Sequence, residues 1–330
     1  MLVIGGAGYI GSHLVLELCK YGYDVTVFDN LSTGHKMNVD SRAELIQGDI
    51  LNEDELEDAF KQSYDAVFHF AALKGAGESM LDPGKYSKVN ISGTINIVNQ
   101  MLENNIHNII FSSTAAVYGL PEYVPVDENH PTNPINFYGF TKFEIEKMLN
   151  WYGELKGIKY AILRYSNAVG YDPKGRIMTL EKSPQNLLPI VMEAAMGRET
   201  MKVYGNDYPT SDGTCIRDYV HISDLAKSHV EAMQYLIDQK NSLTLNLATG
   251  LGYSVLDIIQ HAREVTGEDI KYEITERRPG DPAEFIADST LANEMIGWKC
   301  EYSDIQTIIE SMWNIYNKAN SPSEKEEQIY

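Results

Sequence analysis

The sequence predicts an α/β fold, a doubly wound parallel sheet with helices on both faces, followed by a smaller mixed α/β C-terminal domain. Short apolar runs alternate with longer amphipathic segments through the first half, the pattern of a buried parallel sheet. The first such run passes directly into a glycine-rich stretch, Gly5-Gly6-Ala7-Gly8-Tyr9-Ile10-Gly11. After about residue 165 the alternation loosens, with more proline and glycine and shorter strands. The chain has 330 residues, enough to bury a sizeable core in one large or two ordinary domains.

The elements follow in order. Residues 2–4 read as a buried strand, and a helix over 9–21 opens on the glycine run. Strands are expected at 24–28 and 43–47. The acidic run Asn52-Glu53-Asp54-Glu55-Leu56-Glu57-Asp58 opens a surface helix over 52–62, since acids suit a helix N-terminus; it is not read as an acid–base pair. Strand 66–70, helix 83–104, strand 108–111, helix 137–156 and strand 159–164 complete a domain over residues 1–165. A substrate domain is expected over 166–320, with helices near 184–196, 222–238, 255–266 and 304–316, and with segments returning to the main sheet. Residues 321–330 form a polar tail. No internal repeat is visible.

Composition narrows the function. With 43% hydrophobic and 22% charged residues the chain is ordinary globular, and no apolar run nears the ~20 residues of a membrane span. A net charge of −20 argues against nucleic acid, whose binding needs a basic face. It also means that any phosphate site must be built from local cations and helix N-termini. Cys19, Cys215 and Cys300 are scattered and lack metal-ligand spacing, so no metal is expected and the thiols read as packing residues of a reducing compartment. The glycine run begins almost at Met1, so no secretory segment is expected and the location predicted is cytoplasmic.

Strand, glycine run and helix together are the context of a Rossmann-like dinucleotide site. Gly5 permits the tight turn, Gly8 lets backbone approach a pyrophosphate, and Gly11 lets the helix pack closely. Asp29 ends the second strand, 21 residues after Gly8, where its carboxylate can accept ribose hydroxyls. A 2′-phosphate would meet that charge, and no arginine lies in the Asn30-Leu31-Ser32-Thr33-Gly34 loop, so NAD is favoured over NADP. Tyr138 and Lys142 stand one helical turn apart on one face. A phenol is a poor base near neutrality, but an ammonium and an oxidised nicotinamide favour the phenolate. The stretch Ser112-Ser113-Thr114-Ala115-Ala116-Val117-Tyr118-Gly119 ends a sheet strand and would place the Thr114 hydroxyl beside the reacting oxygen.

These residues carry a resemblance to the extended short-chain dehydrogenase/reductases, and within them to the UDP-glucose 4-epimerase family. It spans residue 2 to about 298 and includes Gly48-Asp49-Ile50, His69-Phe70-Ala71-Ala72-Leu73-Lys74, Arg164-Tyr165-Ser166-Asn167, Gly205-Asn206-Asp207-Tyr208-Pro209-Thr210, Arg217-Asp218-Tyr219 and Arg277-Arg278-Pro279-Gly280-Asp281. The resemblance implies that NAD is surrounded by Gly5, Gly8, Tyr9, Ile10, Gly11, Asp29 to Gly34, Asp49, Ile50, Phe70 to Lys74, Asn90, Ser112, Tyr138, Lys142 and Tyr165. It implies Tyr138, Lys142 and Thr114 as the catalytic set. Lys74, Asn167, Asn186, Leu187, Arg217, Arg278 and Phe285 would join Thr114 and Tyr138 around UDP-glucose or UDP-galactose, the two arginines answering the charge constraint. It implies inversion at sugar C4 through a 4-keto intermediate, and a homodimer. His69 reads as a satisfied core histidine.

The chain departs from the family at Ile4 and at Ser166, where threonine and an aromatic are usual. Phe285 fills the position whose size is associated with tolerance of N-acetylated sugars, and its bulk suggests the unacetylated pair. Ala115 and Ala116 cannot shuttle protons, which disfavours a dehydratase. A UDP-glucuronate epimerase or decarboxylase, and a non-catalytic NAD sensor, remain alternatives.

Overall fold

The computed structural model describes residues 1–180, 186–239, 241–278 and 280–318. Pro184, Pro279 and the expected tail from Ser321 lie outside the described residues. The chain runs β1 (Leu2–Ile4), α1 (Tyr9–Lys20), β2 (Thr26–Asp29), β3 (Glu44–Gln47), α2 (Glu53–Ala59), β4 (Val67–His69), α3 (Ala76–Leu81) and α4 (Pro83–Tyr86). A π-helical segment (Ser87–Ser92) leads into α5 (Gly93–Glu103), then β5 (Asn108–Ser112), α6 (Phe137–Lys156), β6 (Lys159–Arg164) and β7 (Ala168–Val169). The remainder holds α7 (Leu187–Ala195), β8 (Met201–Tyr204), β9 (Ile216–Arg217), β10 (Val220–His221), α8 (Ile222–Gln239), β11 (Leu243–Asn246), β12 (Tyr253–Ser254), α9 (Val255–Thr266), β13 (Tyr272–Thr275), β14 (Glu284–Phe285), α10 (Thr290–Ile296) and α11 (Ile305–Lys318).

Seven strands form one sheet in the order β11-β6-β5-β4-β1-β2-β3, every pair parallel. The order reverses between β1 and β4, where such sheets leave a crevice beyond their carboxyl ends. The central strands are apolar on both faces, and two clusters of side chains follow from that. Val3, Val27, Phe68, Ile110 and Leu163 pack with α1 and α8, whereas Ile4, Phe28, Val67, Ile109, Phe111 and Ile162 pack with Ile97, Val98 and Ile145 from α5 and α6. A third cluster joins α7, α9 and α11.

Two expectations change. The helix expected over 83–104 is broken by its π-helical segment, because Asn90 is pulled into three hydrogen bonds described below. His69 is half satisfied: Nε2 bonds Thr94 Oγ1 at 2.9 Å, but buried Nδ1 has no partner. Burial, with Lys142 nearby, lowers its imidazolium to about 3, so it stays neutral.

Candidate functional site

The glycine loop is tight for two reasons of packing and one of another kind. Gly5 has φ +81°, and a Cβ there would lie 2.6 Å from Ala71 N. A Cβ on Gly11 would lie 2.2 Å from Gly5 O. At Gly8 the same Cβ would meet only Gly5 O, at an ordinary 3.4 Å. Protein packing therefore does not demand glycine at 8. A cradle that a side chain would fill, at the N-cap of α1 with no side-chain cap, fits a dinucleotide pyrophosphate.

Asp29, buried at the end of β2, ties this loop to the next. Its Oδ2 accepts from Ala7 N–H at 2.9 Å and its Oδ1 from Leu31 N–H at 2.8 Å. Each oxygen keeps a further lone pair, so the ribose role expected of Asp29 is compatible with both bonds. Leu31 is held at φ 58°, a left-handed conformation unusual for a branched residue. Asn30 Nδ2 donates to Asp49 Oδ2 at 3.0 Å, and Ile50 packs against Gly93. Asn90 Oδ1 accepts from Leu73 N–H at 2.8 Å, while its Nδ2 donates to Leu73 O and, at 3.0 Å, to Thr141 Oγ1. The π-helical segment thus fastens the loop after β4 to the helix that carries Tyr138, and such segments recur at functional sites.

That helix starts on an Asn136 cap, whose Oδ1 accepts from Gly139 N–H at 2.8 Å. Tyr138 N–H donates to Ser79 Oγ at 3.0 Å. Its phenol lies deep and hydrogen-bonds Thr114; burial pushes it up to about 12, against the pull of that bond. Lys142 is 3% exposed. Its Nζ donates to Ser112 O at 2.7 Å and lies 4.6 Å from the centre of the Phe111 ring. Burial lowers the ammonium to about 7, with Glu146 opposing. Ser112 Oγ and Tyr165 OH share a hydrogen bond of 2.5 Å, and burial raises that phenol well above its ordinary value.

The structure therefore brings Thr114, Tyr138, Lys142, Ser112 and Tyr165 together at the carboxyl ends of β5 and β6. Glu146 and Arg164 pair at 2.5 Å beneath them; the sequence offered Arg164 within a motif but no role for it, and Glu146 went unnoticed although it repeats the four-residue step from Tyr138 to Lys142.

The residues expected around the diphosphate are more dispersed. Arg217 donates to Ile216 O at 2.8 Å and comes within 3.7 Å of Asp281. Arg278 stacks 3.7 Å over the Tyr204 ring. Asn167 Nδ2 donates to Asp218 O at 2.8 Å, and Asn186 and Leu187 open α7. Phe285 faces Arg217 across the β9–β14 pair but is itself buried with Tyr118, Val126 and Ala248. A cavity of about 510 Å³ between Gly205 and Arg277 includes neither Tyr138 nor Arg217, so volume alone does not find this site.

A ligand-shaped glycine cradle, an acidic residue at the end of β2 and a half-buried tyrosine one turn from a buried lysine define a nicotinamide-dependent enzyme of proton-coupled hydride transfer. The NAD dependent epimerase/dehydratase family model matches residues 1–248, and the chain belongs to that family. It is 45% identical to a UDP-glucose 4-epimerase of Halalkalibacterium halodurans, over 95% of this chain and 94% of that one. The solved UDP-glucose 4-epimerase of Brucella ovis in complex with NAD superposes with a TM-score of 0.93 at 42% identity, covering 96% of this chain and 97% of its own. That of Bifidobacterium longum in complex with NAD+ and UDP gives 0.91 at 38% identity, covering 96% and 98%. No helix among the described residues is long and apolar enough to cross a membrane.

Proposed function

We propose that this protein interconverts UDP-glucose and UDP-galactose by reversible oxidation at sugar C4. The observation that carries the reading is the Tyr138 phenol hydrogen-bonded to Thr114, with Lys142 one helical turn on and bonded to Ser112 at the end of β5, in a fold whose first loop is a glycine cradle. The cofactor is NAD, which when bound takes a hydride from C4 and gives it back.

The side chains divide the rest of the work. Tyr138 removes the O4 proton as the hydride leaves, and the sugar becomes a 4-keto species. Thr114 holds the reacting oxygen near the phenol. Lys142 supplies the positive charge that a buried phenol needs before it can ionise. Arg217 and Arg278 hold the diphosphate, and Asn167, Asn186, Leu187, Lys74 and Phe285 border the rest of the nucleotide sugar. For inversion the planar ketone must turn its other face to the same cofactor, so the diphosphate is anchored and the sugar swings. Tyr138 then returns the proton. In this reading Arg217 exchanges its Asp281 contact for the stronger charge of the diphosphate. Residues 1–165 serve the cofactor and 166–320 the sugar, in a cytoplasmic homodimer. Phe140, Trp151 and Leu155, all exposed on α6, suit a second copy of the chain.

Tyr138→Phe tests the reading. UDP-galactose turnover should fall roughly 10²- to 10⁴-fold while NAD still co-purifies. Full activity would remove Tyr138 from the chemistry.

A further inference from the structure

Glu146 stands one turn beyond Lys142, as Lys142 stands one turn beyond Tyr138, so three side chains leave the same face of α6. The Glu146 carboxylate is 5% exposed and is gripped from β6 and from the residue just past β5. Ser113 Oγ donates to its Oε1, Arg164 Nε donates to the same oxygen at 3.1 Å, and Arg164 Nη2 donates to Oε2. Ser113 is itself fixed by its N–H to Leu163 O at 2.9 Å. Arg164 Nη1 donates to Tyr118 OH at 3.0 Å, and Tyr118 OH donates to Asn246 Oδ1 at 2.7 Å.

Stability alone does not account for a pair this deep. Desolvating two charges consumes most of what their attraction returns, and apolar residues of similar volume would join α6 to β6 as well. The surroundings of Lys142 supply a reason. Its ammonium bonds a neutral carbonyl and rests over an aromatic ring. From β4 the neutral His69 lies near it, from β5 Phe111 and Ser112, and from its own helix Glu146, itself paired with Arg164 of β6. Glu146 is the anion among them.

We propose that Glu146 is a positioning residue for the reaction: an anchored carboxylate that keeps Lys142 an ammonium in an apolar cleft and, through Lys142, keeps the Tyr138 phenol able to ionise. Ser113 and Arg164 hold the carboxylate still, and the arginine carries that anchorage to Tyr118 beside Phe285. The direction of the lysine's titration agrees, burial lowering it and Glu146 raising it. The inference rests on the reading that Lys142 assists Tyr138.

The experiment is Glu146→Gln in the full-length, NAD-bound enzyme. With UDP-galactose, kcat near neutrality should fall roughly tenfold with KM little changed, and the alkaline limb of kcat should move about one pH unit lower. The ¹³Cε resonance of Lys142, assigned against Lys142→Arg, should titrate lower by the same amount, which needs no turnover. Glutamine also strands the Arg164 charge and can weaken the fold, so Glu146→Gln/Arg164→Met removes both charges together. A purely structural pair would let that double variant regain the wild-type pH profile; with the guanidinium's repulsion also gone, the limb should recover in part but stay below that of wild type. A Lys142 resonance that titrates as in wild type in both variants overturns the proposal, whatever turnover does. Full activity of Tyr138→Phe would instead refute the proposed function and leave this titration to decide the electrostatics.

Discussion

Burial acts on Tyr138 and Lys142 in opposite senses, holding the phenol protonated and stripping the ammonium. The protein without ligand is therefore poorly set for proton transfer, and the positive nicotinamide and the sugar hydroxyl must complete the site. The lysine leaves a thermodynamic trace. Its folded value is about 7, far below that of the unfolded chain, so between the two the unfolded state binds a proton that the folded state does not. Stability from this group thus rises with pH across that window. Lys142→Met should abolish this rise and melt higher than wild type at about pH 6, while turnover falls roughly 10²-fold or more. Parallel melting curves from about pH 6 to about pH 9 would contradict it. Tyr138 and Lys142 were legible because their spacing follows a strand-end Ser-Ser-Thr. Glu146 was not, because a glutamate four residues from a lysine reads as an ordinary surface pair until the helix is seen to bury that face.

At the scale of elements, α1 is positioned by what its glycines leave out. Gly11→Ala would drive a methyl carbon to 2.2 Å from Gly5 O, a contact that backbone cannot yield cheaply. It should cost about 1–3 kcal/mol or more in urea unfolding and release NAD on purification. A variant that keeps both stability and cofactor would show that the close packing of α1 on its loop is not needed. Helices α6 and α9 were read to the residue, since each carries a full apolar period between good caps, Asn136 before one and Ser254 before the other. The π-helical segment was illegible: an extra residue per turn saves nothing locally and exists only because Asn90 must reach Leu73 and Thr141.

Across the whole molecule, the first half was legible because its central strands are apolar on both faces and most of its connections are helices; only β3, partly exposed, is reached from β2 without an α-helix. The second half builds two-residue strands, β7, β9, β10, β12 and β14, whose partners lie far away in sequence; no local period announces them. The halves are also stitched together. Strand β11 completes the main sheet beside β6, and α8 lies against α1. Tyr9, on the cofactor loop, donates to Gly170 O, and His13 accepts from Asp172 N–H at 3.1 Å. Sugar and cofactor are accordingly presented to each other by one framework, which suits a ketone that must never leave.

That confinement is what the chemistry depends on, and a label at C4 reads it out. UDP-galactose deuterated at C4 should give UDP-glucose that keeps its deuterium at C4 through many turnovers, even with unlabelled NADH in excess outside. Deuterium lost to water, or diluted by the external pool, would contradict a hydride that departs from and returns to one carbon within a single closed site.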